Sequence, residues 1–172
     1  MLMSKFLETD RLILKLTSVN DFDDILALRS DPKVQKYTTQ PPATKQDIQR
    51  FLDAVIPYQE KHGHGMASVF EKNTGEFVGQ AGIFHIGHYD LQPEIEIAYR
   101  FPVKHWGKGF ATEITQALVA WGFKYLNIDT MVSFVETENL ASRRVLEKSG
   151  FHHIGLQKCY YGILERYEIY KS

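Results

Sequence analysis

The sequence predicts a single α/β domain, residues 1–172, in which helices pack against one mixed β-sheet. Strand-like runs of alternating apolar residues and runs of helical periodicity follow one another in the order β-α-α-β-β-β-α-β-α-β-β. Strand–helix–strand steps in this order indicate that some strands are parallel. The chain has 172 residues, 44% hydrophobic and 24% charged, and no repeat or low-complexity tract divides it.

The first predicted elements are a strand and a helix. Leucines share one face of residues 11–16, which indicates a strand. Ser18, with an acidic residue three positions later, is typical of a helix start and predicts a helix near residues 19–30. Pro32 should end this helix, because the residue before a proline avoids the helical conformation.

A second helix and a β-hairpin follow. Thr44 caps a run of apolar residues at helical spacing, and Pro57 lies inside that run, where it would end or kink the helix. Residues 66–72 and 77–86 flank Asn73-Thr74-Gly75-Glu76, which has the composition of a turn. These segments predict two antiparallel strands.

The remaining elements complete the sheet. Asn139 caps the last helix and Gly150 closes it. In chain order the predicted elements are a strand at 93–101, a helix at 110–125, a strand at 131–136, a helix at 139–149, and strands at 151–157 and 163–170.

Composition excludes several classes of function. The formal net charge is −1, so neither nucleic acid nor a membrane is expected as a partner. Cys159 is the single cysteine, which excludes an intrachain disulfide and a cysteine-based zinc site. No apolar run reaches the roughly 20 residues of a spanning helix, and residues 1–6 lack the apolar core of a signal peptide. We therefore expect a cytoplasmic monomer or homodimer.

Seven histidines raise the question of metal binding. The closely spaced ones are His62 and His64, His85 and His88, and His152 and His153. None of these pairs has the spacing of a zinc motif such as His-Glu-x-x-His, in which a carboxylate works beside two histidines. The sequence therefore predicts no metal.

The most informative segment joins the predicted strand at 93–101 to the following helix, and it reads His105-Trp106-Gly107-Lys108-Gly109-Phe110-Ala111-Thr112-Glu113. Its small residues let a ligand approach backbone N–H groups. The helix N-terminus adds unpaired donors and a positive dipole, which suits a phosphorylated ligand. The segment fits neither the P-loop nor the dinucleotide-binding spacing of glycines.

Three separated motifs resemble those of a known family. They are Ile95-Glu96-Ile97-Ala98-Tyr99, Trp106-Gly107-Lys108-Gly109-Phe110-Ala111-Thr112-Glu113, and Glu138-Asn139-Leu140-Ala141-Ser142-Arg143-Arg144-Val145-Leu146-Glu147-Lys148-Ser149-Gly150-Phe151. In this order they closely resemble the GNAT superfamily of N-acetyltransferases. The segments 8–14 and 30–34 look most similar to its RimJ/RimL-type branch, which acetylates the N-terminal amines of ribosomal proteins. The resemblance spans nearly the whole chain.

The resemblance implies a GNAT-like fold and acetyl-CoA as cosubstrate. It implies that backbone groups of the strand bind the pantetheine arm and that the glycine segment binds the pyrophosphate. The implied cofactor-binding residues are Ile97, Ala98, Tyr99, His105, Trp106, Gly107, Lys108, Gly109, Phe110, Ala111, Thr112, Asn139 and Ser142. Lys104, His105 and Lys108 either add positive charge near the phosphates or are ordinary solvated side chains.

The resemblance also implies the catalytic groups. Glu96 alternates away from the apolar face of its strand and is the candidate general base, with Glu94 as its rival. Ser142 is placed to reach the cofactor sulfur. Many family members protonate the departing thiolate with a tyrosine at the position of Leu146, so that here Ser142 or a water must replace it, or the thiolate leaves unprotonated.

The implied reaction is transfer of an acetyl group to a primary amine, either a protein N-terminus or a small molecule. The alternative is a non-catalytic acyl-CoA sensor on the same fold. Tyr37, Phe84 and Tyr160 are candidates to line the acceptor cleft. The segments at 31–44 and 155–164 should shape that cleft, but they contain no motif that identifies the amine.

Overall fold

The structure, a computed structural model, describes residues 5–172, so the part of the targeting prediction that rests on residues 1–4 lies outside the described residues. The strands are β1 (Lys5–Glu8), β2 (Leu12–Lys15), β3 (Met66–Glu71), β4 (Phe77–His85), β5 (Ile95–Arg100), β6 (Thr130–Val135), β7 (His152–Cys159) and β8 (Gly162–Tyr170). The helices are α1 (Phe22–Ser30), α2 (Pro32–Gln35), α3 (Lys45–His62), α4 (Phe110–Tyr125) and α5 (Leu140–Lys148).

The eight strands form one mixed sheet in the order β1-β2-β3-β4-β5-β6-β8-β7. Neighbouring strands are antiparallel except β5 and β6, which are parallel and are joined through α4. This arrangement confirms the predicted α/β fold with a mixed sheet.

Three local features differ from the predicted pattern. Strand β1 and the single-turn helix α2 were not predicted, because segments of four residues are too short to show periodicity. Pro57 does not end α3, which continues to His62. A proline inside a helix costs about 3 kcal/mol, and the buried apolar face of α3 offsets this cost.

The helices form two layers, one on each face of the sheet. The first layer contains α4 and α5, whose Ile114, Leu118 and Leu146 pack against Ile95 and Ile97 of β5. The second layer contains α1 and α3, whose buried residues Ile25, Ile48, Leu52 and Val55 form a separate cluster with Met66 and Phe84. Residues of β5 therefore alternate between the two layers.

Strands β5 and β6 separate soon after they meet, because Glu96 and Val132 are their one pair in register among the described residues. Ile86 N–H donates to the Glu94 carbonyl on the β4 side, 3.2 Å away. Ser133 Oγ donates to the Ile97 carbonyl on the β6 side, 2.8 Å away. Backbone groups of successive residues point to opposite neighbours, so those of Tyr99 point into the gap between β5 and β6.

Replacement of Leu146 by alanine should destabilise the fold by about 2–5 kcal/mol, because the side chain is fully buried in the α4–α5 core. Leu140→Ala on the same helix is the matched control. That leucine is 57% exposed, so its loss should change stability by at most about 0.5 kcal/mol. Urea unfolding measures both values, and equal midpoints for the two variants would contradict the placement of α5.

Candidate functional site

The loop between β5 and α4 depends on two glycines in the left-handed conformation. Gly107 has φ 74° and Gly109 has φ 80°, and Gly109 is the N-cap of α4. Side chains other than glycine rarely adopt this conformation. The two glycines therefore turn the chain so that α4 begins with its amide groups exposed at the end of the gap between β5 and β6.

A continuous row of backbone amides is unpaired in this loop. Trp106 N–H donates to the Val103 carbonyl at 3.0 Å, and Glu113 N–H donates to the Gly109 carbonyl at 3.1 Å. Between them, the amides of residues 107–112 have no hydrogen-bond partner within residues 5–172. The predicted anion cradle thus consists of residues 107–112. It does not include the Trp106 amide, which an internal turn already uses.

Arg11 braces this loop from the turn between β1 and β2. Its Nη1 donates to the Lys108 carbonyl at 2.8 Å, and its Nε lies 2.6 Å from Glu113 Oε2. Glu113 Oε1 in turn accepts hydrogen bonds from Thr9 Oγ1 at 2.6 Å and from Arg11 N–H at 3.0 Å. The interpretation of the sequence missed this contact. Arg11 and Glu113 are about a hundred residues apart in the chain, and only their presence in separate motifs hinted at it.

The cations beside the loop differ in what they contribute. His105 is buried, and burial together with Lys108 lowers the pKa of its imidazole, which is therefore neutral near pH 7. Lys104 forms an ion pair with Glu76. With His105 buried and Lys104 paired, Lys108 and the α4 dipole are the clearest sources of positive potential beside the loop.

The start of α5 closes the other side of the gap. Asn139 Oδ1 accepts a hydrogen bond from Ser142 N–H at 3.2 Å and caps the helix. The Tyr99 hydroxyl lies 2.6 Å from Ser142 Oγ. Burial raises the pKa of Tyr99, so that the hydroxyl keeps its proton. Leu146 points into the core and is fully buried.

The sequence interpretation assigned Tyr99 only a backbone role. The alternation of β5, which places Tyr99 on the same face as Ile97, was the available signal for its side chain. The hydroxyl near Ser142 thus comes from Tyr99 on strand β5, whereas the tyrosine common in the family would stand at position 146 on helix α5.

Glu96 is the buried carboxyl group on the opposite face of β5. It is 3% exposed, and burial raises its pKa to about 7, although a hydrogen bond donated by the Tyr160 hydroxyl opposes this shift. Tyr160 lies at the turn between β7 and β8 with φ 54°, which a tyrosine rarely adopts. Its hydroxyl also accepts the Gly87 N–H at 3.2 Å.

The surroundings of Glu96 separate it from the other candidates. Glu94 forms an ion pair with Arg166. Glu96, by contrast, is buried without a cationic partner among the described residues, and its pKa is raised. Cys159 is close to Glu96. Burial and this carboxylate raise the pKa of its thiol to about 11, which leaves no thiolate nucleophile.

Two of the three candidate acceptor residues, Phe84 and Tyr160, lie beside Glu96. Phe84 is buried and lies opposite Glu96 in the β4–β5 register. The turn segment at 155–164 meets the segment at 31–44, because a Cβ on Gly162 would lie 2.9 Å from Thr39 Cγ2. Tyr37 lies in the latter segment, with Lys36 Nζ 5.1 Å from its ring centre.

The histidines of the second layer are engaged in structural contacts. Tyr58 Oη lies 2.7 Å from His85 Nδ1, and His64 Nδ1 lies 2.7 Å from the Ile83 carbonyl. His62 contacts Asp90 at 2.8 Å. Within residues 5–172 no group of three potential metal-ligating side chains is found. In the same part of the chain, no helix is long and apolar enough to cross a bilayer.

Comparison with known proteins gives relatives along most of the chain. Residues 11–152 match the family described as Acetyltransferase (GNAT) domain. An uncharacterised N-acetyltransferase named p20, from Bacillus licheniformis, is 34% identical over 157 residues, which cover 90% of this chain and 86% of that protein. An uncharacterised N-acetyltransferase from Bacillus subtilis, YoaA, is 32% identical over 160 residues, which cover 92% of this chain and 89% of that protein.

Solved structures share the fold. An acetyltransferase from Agrobacterium tumefaciens has a TM-score of 0.82 at 28% identity, over 96% of this chain and 94% of its own. RimL, a ribosomal-protein acetyltransferase, has a TM-score of 0.80 at 17% identity, over 98% of this chain and 95% of its own. A spermidine N-acetyltransferase from Vibrio cholerae, solved with CoA and spermine, has a TM-score of 0.75 at 18% identity, over 92% of this chain and 95% of its own. At the latter two identities the likeness shows the fold alone.

Replacement of Tyr160 by phenylalanine should raise the pKa of Glu96 above about 7, because the lost hydrogen bond stabilises the ionised carboxylate. Carbon NMR of labelled glutamate carboxyl groups measures the titration midpoint. Tyr161→Phe is the matched control, since that side chain is 78% exposed and should leave the midpoint unchanged. A Glu96 midpoint that stays the same in both variants would show that Tyr160 does not act on this carboxyl.

Proposed function

The chain belongs to the GNAT family of acetyltransferases, and we propose that it transfers the acetyl group of acetyl-CoA directly to a primary amine. The observation that carries the proposal is the row of unpaired amides at residues 107–112, which lies at the open end of the gap between β5 and β6. Glu96 and the Tyr99–Ser142 pair lie on opposite faces of β5 beside this gap.

The residues around the gap fit acetyl-CoA, which supplies an activated thioester carbonyl. The amides of residues 107–112 and the α4 dipole would hold the pyrophosphate. The backbone N–H and carbonyl of Tyr99 would pair with the pantetheine arm as a neighbouring strand would, and Asn139 would donate its side-chain amide. Support comes from the spermidine acetyltransferase of the same fold, whose structure contains CoA.

Glu96 would act as the general base. Below a pH of about 7 its carboxyl holds a proton, and above it the carboxylate accepts one from the attacking amine, directly or through a water. An α-amine with a pKa of about 8 costs only about 1.4 kcal/mol to deprotonate at pH 7, whereas a lysine costs roughly 4.6 kcal/mol. A single carboxylate therefore suits an α-amine or a weakly basic small-molecule amine.

The Tyr99–Ser142 pair would stabilise the leaving thiolate by hydrogen bonding. The Tyr99 hydroxyl is protonated at neutral pH and lies beside Ser142 Oγ, so that either hydroxyl can donate a hydrogen bond to the sulfur. Because a thiol has a pKa of about 8.5, well below that of Tyr99, the thiolate can leave without taking the tyrosine proton and is protonated afterwards by water. This arrangement replaces the helix tyrosine that Leu146 excludes.

The acceptor is proposed from the same site. RimL and the spermidine acetyltransferase share this fold, and their names give a protein N-terminus and a polyamine as their acceptors. We propose the RimJ/RimL-type branch, with an α-amine as the reacting group. Thiol release from acetyl-CoA in the presence of a panel of amines tests the activity. CoA binding without amine-dependent release would indicate the sensor instead.

Replacement of Glu96 by glutamine should lower kcat at least about 100-fold, a typical contribution of a general base, without weakening CoA binding. Glu94→Gln is the control, because Glu94 is paired with Arg166 and should not act as the base. Stopped assays of thiol release give kcat, and isothermal titration gives the Kd for CoA. A full rate in E96Q would assign the base to another group.

Replacement of Gly109 by tryptophan should weaken CoA binding at least about 100-fold, because the new side chain would cover the amides and force φ 80° on a bulky residue. Gly63→Trp is the matched control. Gly63 has φ 76° at the end of α3, and a Cβ added there would meet no atom within 4 Å. Equal Kd values for CoA in the two folded variants would disprove the location of the cradle.

A further inference from the structure

Two arginines on the α1–α3 face of the sheet have no acidic partner among the described residues. Arg29, at the end of α1, donates through Nε to Gln80 Oε1 at 2.7 Å, and its guanidinium carbon lies 4.0 Å from the centre of the Phe51 ring. Arg100, the last residue of β5, has a side chain that makes no hydrogen bond or ion pair within residues 5–172. By contrast, Arg11 and Arg166 each contact a carboxylate.

The two guanidinium groups are brought together through Gln80. Gln80 of β4 lies directly opposite Arg100 of β5 in the sheet register, so their side chains project side by side from one face. Because Arg29 reaches the amide of the same Gln80, both cations are close to it. Burial and the charge of Arg100 lower the pKa of Arg29, and burial lowers that of Arg100 to about 10. Arginine side chains keep their proton in proteins, so the two groups are cations.

The cluster formed by Arg29, Gln80 and Arg100 has more hydrogen-bond donors than acceptors. Gln80 is fully buried, its oxygen is used by Arg29, and its Nε2 has no partner within the described residues. Arg29 and Arg100 add further N–H groups and two positive charges. An unpaired buried donor and two half-buried cations without a carboxylate partner in residues 5–172 are each unfavourable. A single bound anion would satisfy both.

The cluster lies on the same face of β5 as Glu96. Glu96, Ala98 and Arg100 occupy alternate positions, so the Cα atoms of Glu96 and Arg100 are about 13 Å apart. Only the small side chain of Ala98 separates them along the strand. The row of amides at residues 107–112 lies in the loop before α4 and in its first turn, and α4 packs on the opposite face, so the cluster is not part of the proposed diphosphate cradle.

We infer that Arg29, Gln80 and Arg100 form an anion subsite that binds a carboxylate of the acceptor. The acceptor would carry this carboxylate roughly 10–13 Å from its reacting amine, a range set by the spacing of Glu96 and Arg100 along β5. The inference rests on the proposed acetyl transfer. A peptide with a free N-terminus and an acidic residue at its third position has this spacing. The planar guanidinium groups suit a carboxylate, since each offers two parallel donors.

The test uses two tripeptide amides, Ala-Ala-Glu and Ala-Ala-Gln, as acceptors with the full-length protein. The ratio of their kcat/KM values should be at least about tenfold in favour of the glutamate peptide. Arg100→Gln should reduce this ratio to about one, and Arg100→Lys should retain part of it. Arg50→Gln, an exposed arginine of α3, is the control and should keep the full ratio.

The outcomes separate this inference from the proposed function. Equal turnover of both peptides by the unmodified protein overturns the subsite and leaves acetyl transfer intact. Absence of amine-dependent thiol release with every acceptor overturns the proposed function and the subsite with it. If Arg100→Gln instead weakens CoA binding at least about tenfold and the peptide ratio persists, the bound anion is a phosphate of CoA, and the acceptor assignment is wrong.

Discussion

The separation of β5 from β6 is the constraint on which the candidate site depends. A regular parallel pair would join the backbone groups of Tyr99 to β6 and fill the space that a ligand needs. Here the pairing holds at Glu96 and Val132 and then ends, and Ser133 Oγ donates to the Ile97 carbonyl just before the Tyr99 groups that are left open. The strands are therefore paired near the start of β5, while a polar gap opens toward its C-terminal end.

The glycine loop is useful only because it is held in place at the open end of that gap. Left-handed glycines allow the turn, but they also make a loop flexible. Arg11 compensates by bonding Lys108 and Glu113 simultaneously, which fixes the first turn of α4 to the edge of the sheet. Unpaired amides held in this way need little reorganisation to bind an anion, and preorganisation of this kind favours binding.

Local patterns predicted most of the fold, because strand and helix periods are encoded by neighbouring residues. They did not predict contacts between distant segments. Glu96 was recognised as a candidate from its position, but its pKa is raised by burial and moderated by a hydrogen bond from Tyr160, 64 residues away. Arg29 and Gln80 are 51 residues apart, and neither belongs to a motif. The burial of His105 was not predicted either, since a histidine in a glycine-rich loop is expected to be exposed.

Strand β5 contributes to the site through its free edge and through both of its faces. Its edge offers the backbone groups of Tyr99 to the gap, and its first face presents the Tyr99 side chain to Ser142. Its second face presents Glu96 and Arg100 to the region bounded by Tyr160 and α1. Alternation thus places the Tyr99 hydroxyl and the Glu96 carboxyl on opposite sides of the sheet, although they are three residues apart. Each group has its own partner, Ser142 for Tyr99 and Tyr160 for Glu96, and the two do not share a proton. In the proposed transfer, the reacting atoms would lie in the gap between these two sides.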